Sequence, residues 1–348
     1  MSSVPVIQVR GNRYDCGRQI GVACKNYIVD LISISAGSPP KGLTWEDCLK
    51  KSQLYYLETK KCHPYIIDEI EGTAIGAGVA VNELFTVFVE ELWADADLAH
   101  HQCTDVLVCP PATFGSVLVG HNNDLSPEYA KVITAVEWLL DDDTKMFTVG
   151  PAGIFISVGV NSNGICLTGN ELSPNDNKIG VPRSCIARAI LNAKTFNEAV
   201  KTATDPNRAS SYNNVISTKN PQEIVSVEGS GTDFALIYPK NGTFVHANHY
   251  ASDKMKKYES VDDLTSSISR QSRGEELLIN KSSPFNKNDI IAVLKDHGVD
   301  GLPTNNTICR HGYKHSTVFS FFADLTNGVI ELALGNPCHA EFKEVWRF

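Results

Sequence analysis

No run of apolar residues in the chain approaches the roughly 20 needed to cross a bilayer. Basic residues are in deficit, with 31 Lys and Arg against 40 Asp and Glu and a formal net charge of −9. That balance argues against nucleic acid or an anionic membrane as the main partner. The segment Met1 to Asp15 lacks a basic stretch followed by an apolar run. No export signal is therefore expected, and the expected compartment is cytoplasmic. Also lacking are a Cys-x-x-Cys pair, any Cys/His grouping at zinc spacing, and a phosphate-binding Gly-Lys-Ser/Thr loop. No metal and no other cofactor is expected.

Cysteine, in contrast, is abundant, at positions 16, 24, 48, 62, 103, 109, 166, 185, 309 and 338. Without export these should be reduced thiols, most of them small buried hydrophobes. The chain has 348 residues, 42% of them apolar, enough to bury a core without staples. No low-complexity linker, internal repeat or Pro-rich hinge divides it, so a single domain over 1–348 is expected.

The first hundred residues read as helical. Apolar positions recur near a 3.6-residue period from Cys16 to Ser35, and Pro64–Val79 and Val81–Trp93 continue the pattern. Thr44 with Asp47 three residues on forms a weaker version of the capping box. The small residues of Gly72-Thr-Ala-Ile-Gly-Ala-Gly78 suggest close helix packing. After about residue 103 short β-branched runs take over, including Thr104–Val108, Ser116–Val119, Ile154–Val160 and Ile165–Thr168. The turn Asn161-Ser-Asn-Gly164 favours a tight hairpin. Helices are expected after Pro182 and over Ser269–Asn280 and Lys287–Asp296, among further strands. Helices and hairpins without βαβ alternation predict an α+β fold with antiparallel sheets covered by helices.

Cys103, in His101-Gln-Cys-Thr-Asp105, stands where helical texture gives way to strand. A lone cysteine is ordinarily structural; its place at the start of the first strand, with a polar loop expected at Gly120-His-Asn-Asn-Asp124, suits an amino-terminal nucleophile. In such a site the chain is cut before the nucleophile, and the freed α-amine, with a pKa of about 7.7–8.0, serves as its base. Asn170 and Asn248 both follow expected strands, and a neutral amide such as Asn248 can donate to an oxyanion or merely satisfy nearby backbone. Arg310, after an apolar pair, is drawn inward, where Asp124 is its natural partner. His100-His101 lacks further ligand spacing, and Glu228-Gly-Ser-Gly-Thr232 has Glu and Thr in the Gly places of a hydrolase elbow.

These landmarks fall in one order. Gly11-Asn-Arg-Tyr14-Asp-Cys-Gly17-Arg-Gln-Ile-Gly21, Cys103-Thr104, Gly120–Asp124, Asn161–Gly164 with Gly169-Asn170, Gly180-Val-Pro182, His246-Ala-Asn248-His249, Ile308-Cys-Arg-His311 and Leu334-Gly-Asn-Pro337 run nearly end to end. Together they resemble the acyl-coenzyme A:isopenicillin N acyltransferase family of amino-terminal-nucleophile (Ntn) hydrolases.

The resemblance implies a four-layer αββα sandwich and self-cleavage between Gln102 and Cys103. The products would be a mainly helical fragment 1–102 and a fragment 103–348, held together as a heterodimer. It also implies a Cys103 acyl-enzyme formed from a small N-acylated substrate. Asp124 would orient the amine and Arg310 would hold Asp124. The Asn248 side chain and a backbone N–H at Asn170 would face the oxyanion. His121 and Thr104 are candidate substrate-lining residues, and His121 stands where distant relatives tend to carry Arg. Where the family most often has Gly before the nucleophile, this chain has Gln102. Hydrolysis is the leading expectation. The alternatives are acyl-CoA-dependent N-acyl transfer, with a coenzyme A thioester as co-substrate, and an uncut, non-catalytic binding protein. Homo-oligomerisation is left open.

Overall fold

The computed structural model describes residues 3–93, 102–281 and 284–348. The candidate pair His100-His101 lies outside the described residues.

Local sequence accounts for the helical first third. Strand β1 (Val6–Gly11) leads into α1 (Arg13–Ala23) and α2 (Lys25–Gly37). Helix α3 (Trp45–Cys62) starts with the full capping box: the Asp47 amide donates to Thr44 Oγ1 at 3.1 Å and the Thr44 amide to Asp47 Oδ2 at 2.9 Å. Such a cap contributes about 1 kcal/mol. Helix α4 (Pro64–Ala77) opens on proline, which needs no amide partner there, and closes on Gly78 at φ +73°. Helix α5 (Val81–Phe88) follows.

The remaining strands are β2 (Gln102–Val108), β3 (Leu118–Leu125), β4 (Ile133–Leu140), β5 (Lys145–Pro151), β6 (Val158–Asn161), β7 (Cys166–Asn170), β8 (Asn213–Ser217), β9 (Ile224–Gly229), β10 (Phe234–Ile237), β11 (Thr243–His246), β12 (Ser316–Asp324), β13 (Val329–Leu334) and β14 (Lys343–Arg347). Between them lie α6 (Arg183–Leu191), α7 (Phe196–Ala203), α8 (Thr265–Ile279) and α9 (Lys287–Leu294). The expected Asn161–Gly164 hairpin joins β6 to β7. Asn161 Oδ1 accepts from the Asn163 and Ile165 amides at 3.0 Å each, and Gly164 takes φ +82°.

Two sheets result, one ordered β1-β4-β5-β6-β7-β8-β9-β10 and the other β11-β2-β3-β12-β13-β14. Neighbouring strands are antiparallel except β1 and β4. Apolar residues of α1, α4, α5 and α6 pack on one face of the eight-stranded sheet. Phe147, Val158, Phe319 and Phe321 fill the space between the sheets, and α8 and α9 cover the outer face of the six-stranded sheet. This is the four-layer αββα arrangement. Among the described residues no single helix is long and apolar enough to cross a membrane.

Two expectations are corrected, and four elements are new. Gly120–Asp124 is not a loop but the buried middle of β3, where Asn122 and one oxygen of Asp124 bond to groups distant in sequence. The expected strand Ile154–Val160 contracts to β6, with a turn before it. Strands β1, β4 and β14 and helix α7 were not anticipated.

Candidate active site

Strand alternation divides this site into two faces. Along β2 and just past its end, Leu107 and Cys109 pack between the sheets, whereas Val106 and Val108 pack under the helices. Continuing the alternation turns Cys103 and Asp105 toward the inter-sheet side and Gln102 and Thr104 toward α8. Strand β3 pairs in register, Asn123 opposite Cys103, His121 opposite Asp105 and Asp124 opposite Gln102.

On the inter-sheet side, Cys103 lines a cleft with Asn123, Leu167, Asn170, Glu171 and Asn213, enclosing about 640 Å³ including its open mouth. Asn123 Nδ2 lies 3.5 Å from Cys103 Sγ and also 3.5 Å from His121 Nε2, while His121 Nδ1 lies 3.0 Å from Asp105 Oδ1. Cys103 is only 5% exposed. Burial, reinforced by Asp124 and Asp105 and opposed by Arg270, pushes its thiol well above the usual range. Such a thiol rests protonated and needs a base to react.

On the helix side, Gln102 Oε1 accepts from Arg310, whose Nη1 stands 3.9 Å from Asp124 Oδ2. Asp124 is fully buried; Thr317 Oγ1 donates to its Oδ1 at 2.6 Å, and its Oδ2 has no hydrogen-bond partner among the described residues. Burial raises the Asp124 carboxyl above its ordinary value against the pull of Arg310 and Arg270.

Asn248 lies just beyond β11. Its Oδ1 accepts from the Cys103 amide at 2.8 Å, and its Nδ2 donates to the Glu171 carbonyl at 3.1 Å. Asn170, the last residue of β7, is clamped: its Oδ1 is 2.8 Å from His246 Nδ1 and accepts from Asn213 Nδ2 at 2.9 Å. His246 in turn meets Glu228 at 2.8 Å. Burial of Glu228 opposes its ionisation, but His246 and the Ala251 and Ser252 amides outweigh it and hold the carboxyl low. Ser230, the serine of the rejected elbow, donates instead to Asp176 at 2.9 Å.

The structure thus gathers Cys103, Gln102, Asp124, Asn170, Asn248 and Arg310 around one peptide bond and one cleft. It does not place His121 or Thr104 on the cleft lining. Asp105 and Asn123 enclose His121, and alternation turns Thr104 to α8.

Sequence reasoning missed Arg270. This residue of α8 is fully buried and donates to the Cys103 carbonyl, to Thr104 Oγ1 at 2.8 Å, to Asn248 Oδ1 at 2.9 Å and to Gln102 Oε1 at 3.3 Å. Burial brings its guanidinium down to about 10, still charged at neutral pH. The available signal was positional: Arg270 shares a helical stripe with Ser267, Gly274 and Leu278, the buried face of α8.

The family model for acyl-coenzyme A:6-aminopenicillanic acid acyl-transferase matches residues 113–339. No curated protein matches the chain by sequence. Among solved structures, a Caenorhabditis elegans ortholog of N-acylethanolamine-hydrolyzing acid amidase is similar at 17% identity and TM-score 0.46, covering 64% of this chain and 93% of its own. A mutant conjugated bile acid hydrolase from Clostridium perfringens is similar at 12% identity and TM-score 0.43, covering 70% and 97%. Penicillin V acylase from Agrobacterium tumefaciens is similar at 12% identity and TM-score 0.41, covering 71% and 98%. The family match begins after Cys103, spans well over half of the chain and takes in Asp124, Asn170, Asn248 and Arg310; the protein belongs to the acyl-coenzyme A:6-aminopenicillanic acid acyl-transferase family.

Proposed function

We propose that the protein is a cysteine Ntn amidohydrolase that cuts itself before Cys103 and then hydrolyses a small N-acylated compound. The observation that carries this reading is the setting of the Gln102–Cys103 bond: a thiol opens to a cleft on one face, and a buried aspartate and two arginines stand on the other.

In self-cleavage the Cys103 sulfur attacks the Gln102 carbonyl carbon. The C–N bond breaks as the amide nitrogen takes the proton and becomes the α-amine. Water then hydrolyses the Gln102 thioester, leaving a carboxylate and the free thiol. Fragments 1–102 and 103–348 remain one heterodimeric Ntn domain.

In turnover the α-amine takes the thiol proton. The thiolate attacks the substrate acyl carbon, and the ammonium returns the proton to the departing amine. Water, activated by the same amine, releases the acid from the Cys103 thioester. The raised thiol supports the need for a base within the same residue. Asp124 Oδ2, without a hydrogen-bond partner among the described residues, would receive the ammonium of the cut chain and offset its charge. Arg310 would hold Asp124. Asn170, through its backbone N–H beside a clamped side chain, and Asn248, with its amide turned over after cutting, would face the oxyanion. Loss of one such donor typically costs ~3 kcal/mol. The side chain of Gln102, gripped by Arg310 and Arg270, would orient the carbonyl at the position where the family most often has Gly.

Intact mass and turnover on a panel of N-acyl amines and N-acyl amino acids test this reading. The unmodified protein should yield a fragment beginning at Cys103, Cys103→Ala should neither cut nor turn over, and Cys109→Ala should do both. Cutting by Cys103→Ala, or a lasting single inactive species of the unmodified chain, would remove the assignment. Labelled acyl-CoA that loses its acyl group to an amine without hydrolysis would move the reading to transfer.

A further inference from the structure

Outside the cleft, folding brings together four side chains that the linear sequence scatters. His297 lies in the loop after α9, Cys309 and His311 just before β12, and Cys338 just after β13. One donor atom from each falls within 4.8 Å of all the others. Cys309 Sγ is 3.4 Å, and Cys338 Sγ 3.2 Å, from His311 Nε2. The N–S edge of a tetrahedral zinc site, from bond lengths near 2.0–2.1 and 2.3 Å, is about 3.6 Å. Nε2 of His297 is buried without a hydrogen-bond partner among the described residues. The sequence expectation of no Cys/His grouping therefore holds along the chain but not in space. Its spacing, His-x11-Cys-x-His-x26-Cys, has neither the Cys-x2–4-Cys nor the His-x3–5-His arm that marks zinc in a sequence.

We propose that His297, Cys309, His311 and Cys338 bind one Zn²⁺ ion. Two thiolates and two neutral imidazoles suit zinc among the divalent cations, and two thiolates offset its charge in a partly buried setting. Binding releases the two thiol protons to solvent. A set of four protein ligands leaves no open position, so the ion braces the fold and does not activate water. It rivets three segments, and Arg310 sits between two of the ligands. Arg310 is further fixed through its carbonyl, which accepts from Asn336 Nδ2, Ser316 Oγ at 3.1 Å and the Thr317 amide at 3.1 Å. Its significance for Arg310 rests on the function proposed above; the metal site itself does not.

The test is metal analysis of the full-length protein expressed with zinc and purified without chelator. The expected result is about one zinc per chain, and, after growth in cobalt, the visible bands of tetrahedral Co²⁺ with thiolate charge transfer. His297→Ala and Cys338→Ser should each lose most of the metal. Cys103→Ala should keep it, whatever the role of Cys103. Hydrogen exchange over 307–317 should quicken in His297→Ala; unchanged exchange would overturn the bracing role. The unmodified protein needs no variant to decide the site. Metal-free protein with Cys309 and Cys338 both open to alkylation, or an intact mass lowered by two hydrogens through a Cys309–Cys338 disulfide, would overturn it.

Discussion

Arg270 carries a full charge into the interior, where a charge is tolerated only with partners. Its acceptors are the carbonyl of Cys103 and the side chains of Thr104, Asn248 and Gln102, so one guanidinium holds both sides of the proposed scissile bond. It is also the cation that pulls the Cys103 thiol downward against burial. Removing a cation favours the protonated thiol. Arg270→Gln should therefore move the pH at which Cys103 alkylates, read by peptide mapping, to higher values. It should also slow cutting about 100-fold, equivalent to roughly 3 kcal/mol of lost charged hydrogen bonds. An unshifted alkylation profile in a folded variant would reduce Arg270 to packing. Arg270→Lys should not rescue, because a point charge cannot reach several divergent acceptors. Candidates such as Cys103, Asp124 and Arg310 could be named from the sequence because their types, in an order that resembles the family's, suggested a site. Arg270 could not, since an arginine on a helical stripe reads as a solvated edge until the sheet beneath it is known.

Between elements, the tightest fit is α1 on α4. A Cβ built on Gly76 would stand 2.1 Å from the Arg18 carbonyl oxygen, and one on Gly72 would stand 2.0 Å from that of Tyr14. Gly17 and Gly21 meet α4 backbone as closely from the other side, at 2.0 and 2.1 Å. Helix propensity favours Gly→Ala by up to about 1 kcal/mol, while forcing two backbones apart costs about 1–3 kcal/mol or more, so sterics win here. Gly76→Ala should lower the melting temperature by several degrees. Gly37→Ala, at the exposed end of α2 with nothing within 4 Å, should leave it unchanged or slightly raised. Equal melting temperatures for the two variants would show that the helices part without cost. This contact was legible from Gly72–Gly78. The nature of β3 was not: Asn122 donates to the Leu294 carbonyl at 2.9 Å and the Ile308 carbonyl at 3.0 Å and accepts from Ser320 at 2.6 Å. Polar residues that look like a loop become a central strand when distant carbonyls and hydroxyls satisfy them.

At the scale of the whole molecule, residues before the proposed cut cannot leave without exposing the core. Strand β1 pairs with β4 from Val6 opposite Ala135 to Gly11 opposite Leu140. Ile20, Ile70, Phe85 and Phe88 pack with Trp138, Ile186 and Ile190 from beyond it. After cutting, the two fragments should co-elute in native gel filtration and separate only in denaturant. A helical fragment that elutes alone under native conditions would show that this interface does not hold. The sequence by itself determined the alternation of helical and strand texture, the capping of α3 and the Asn161–Gly164 turn, because each rests on residue type and local spacing; the candidates Cys103, Asp124 and Arg310 came from the order of landmarks that resembles the family's. Tertiary structure alone decided the strand at Gly120–Asp124, the grip of Arg270 on Gln102 and Cys103, and the meeting of His297, Cys309, His311 and Cys338. Each of these depends on partners far apart in the chain, and the periodicity of a segment carries no information about which distant atoms will satisfy it.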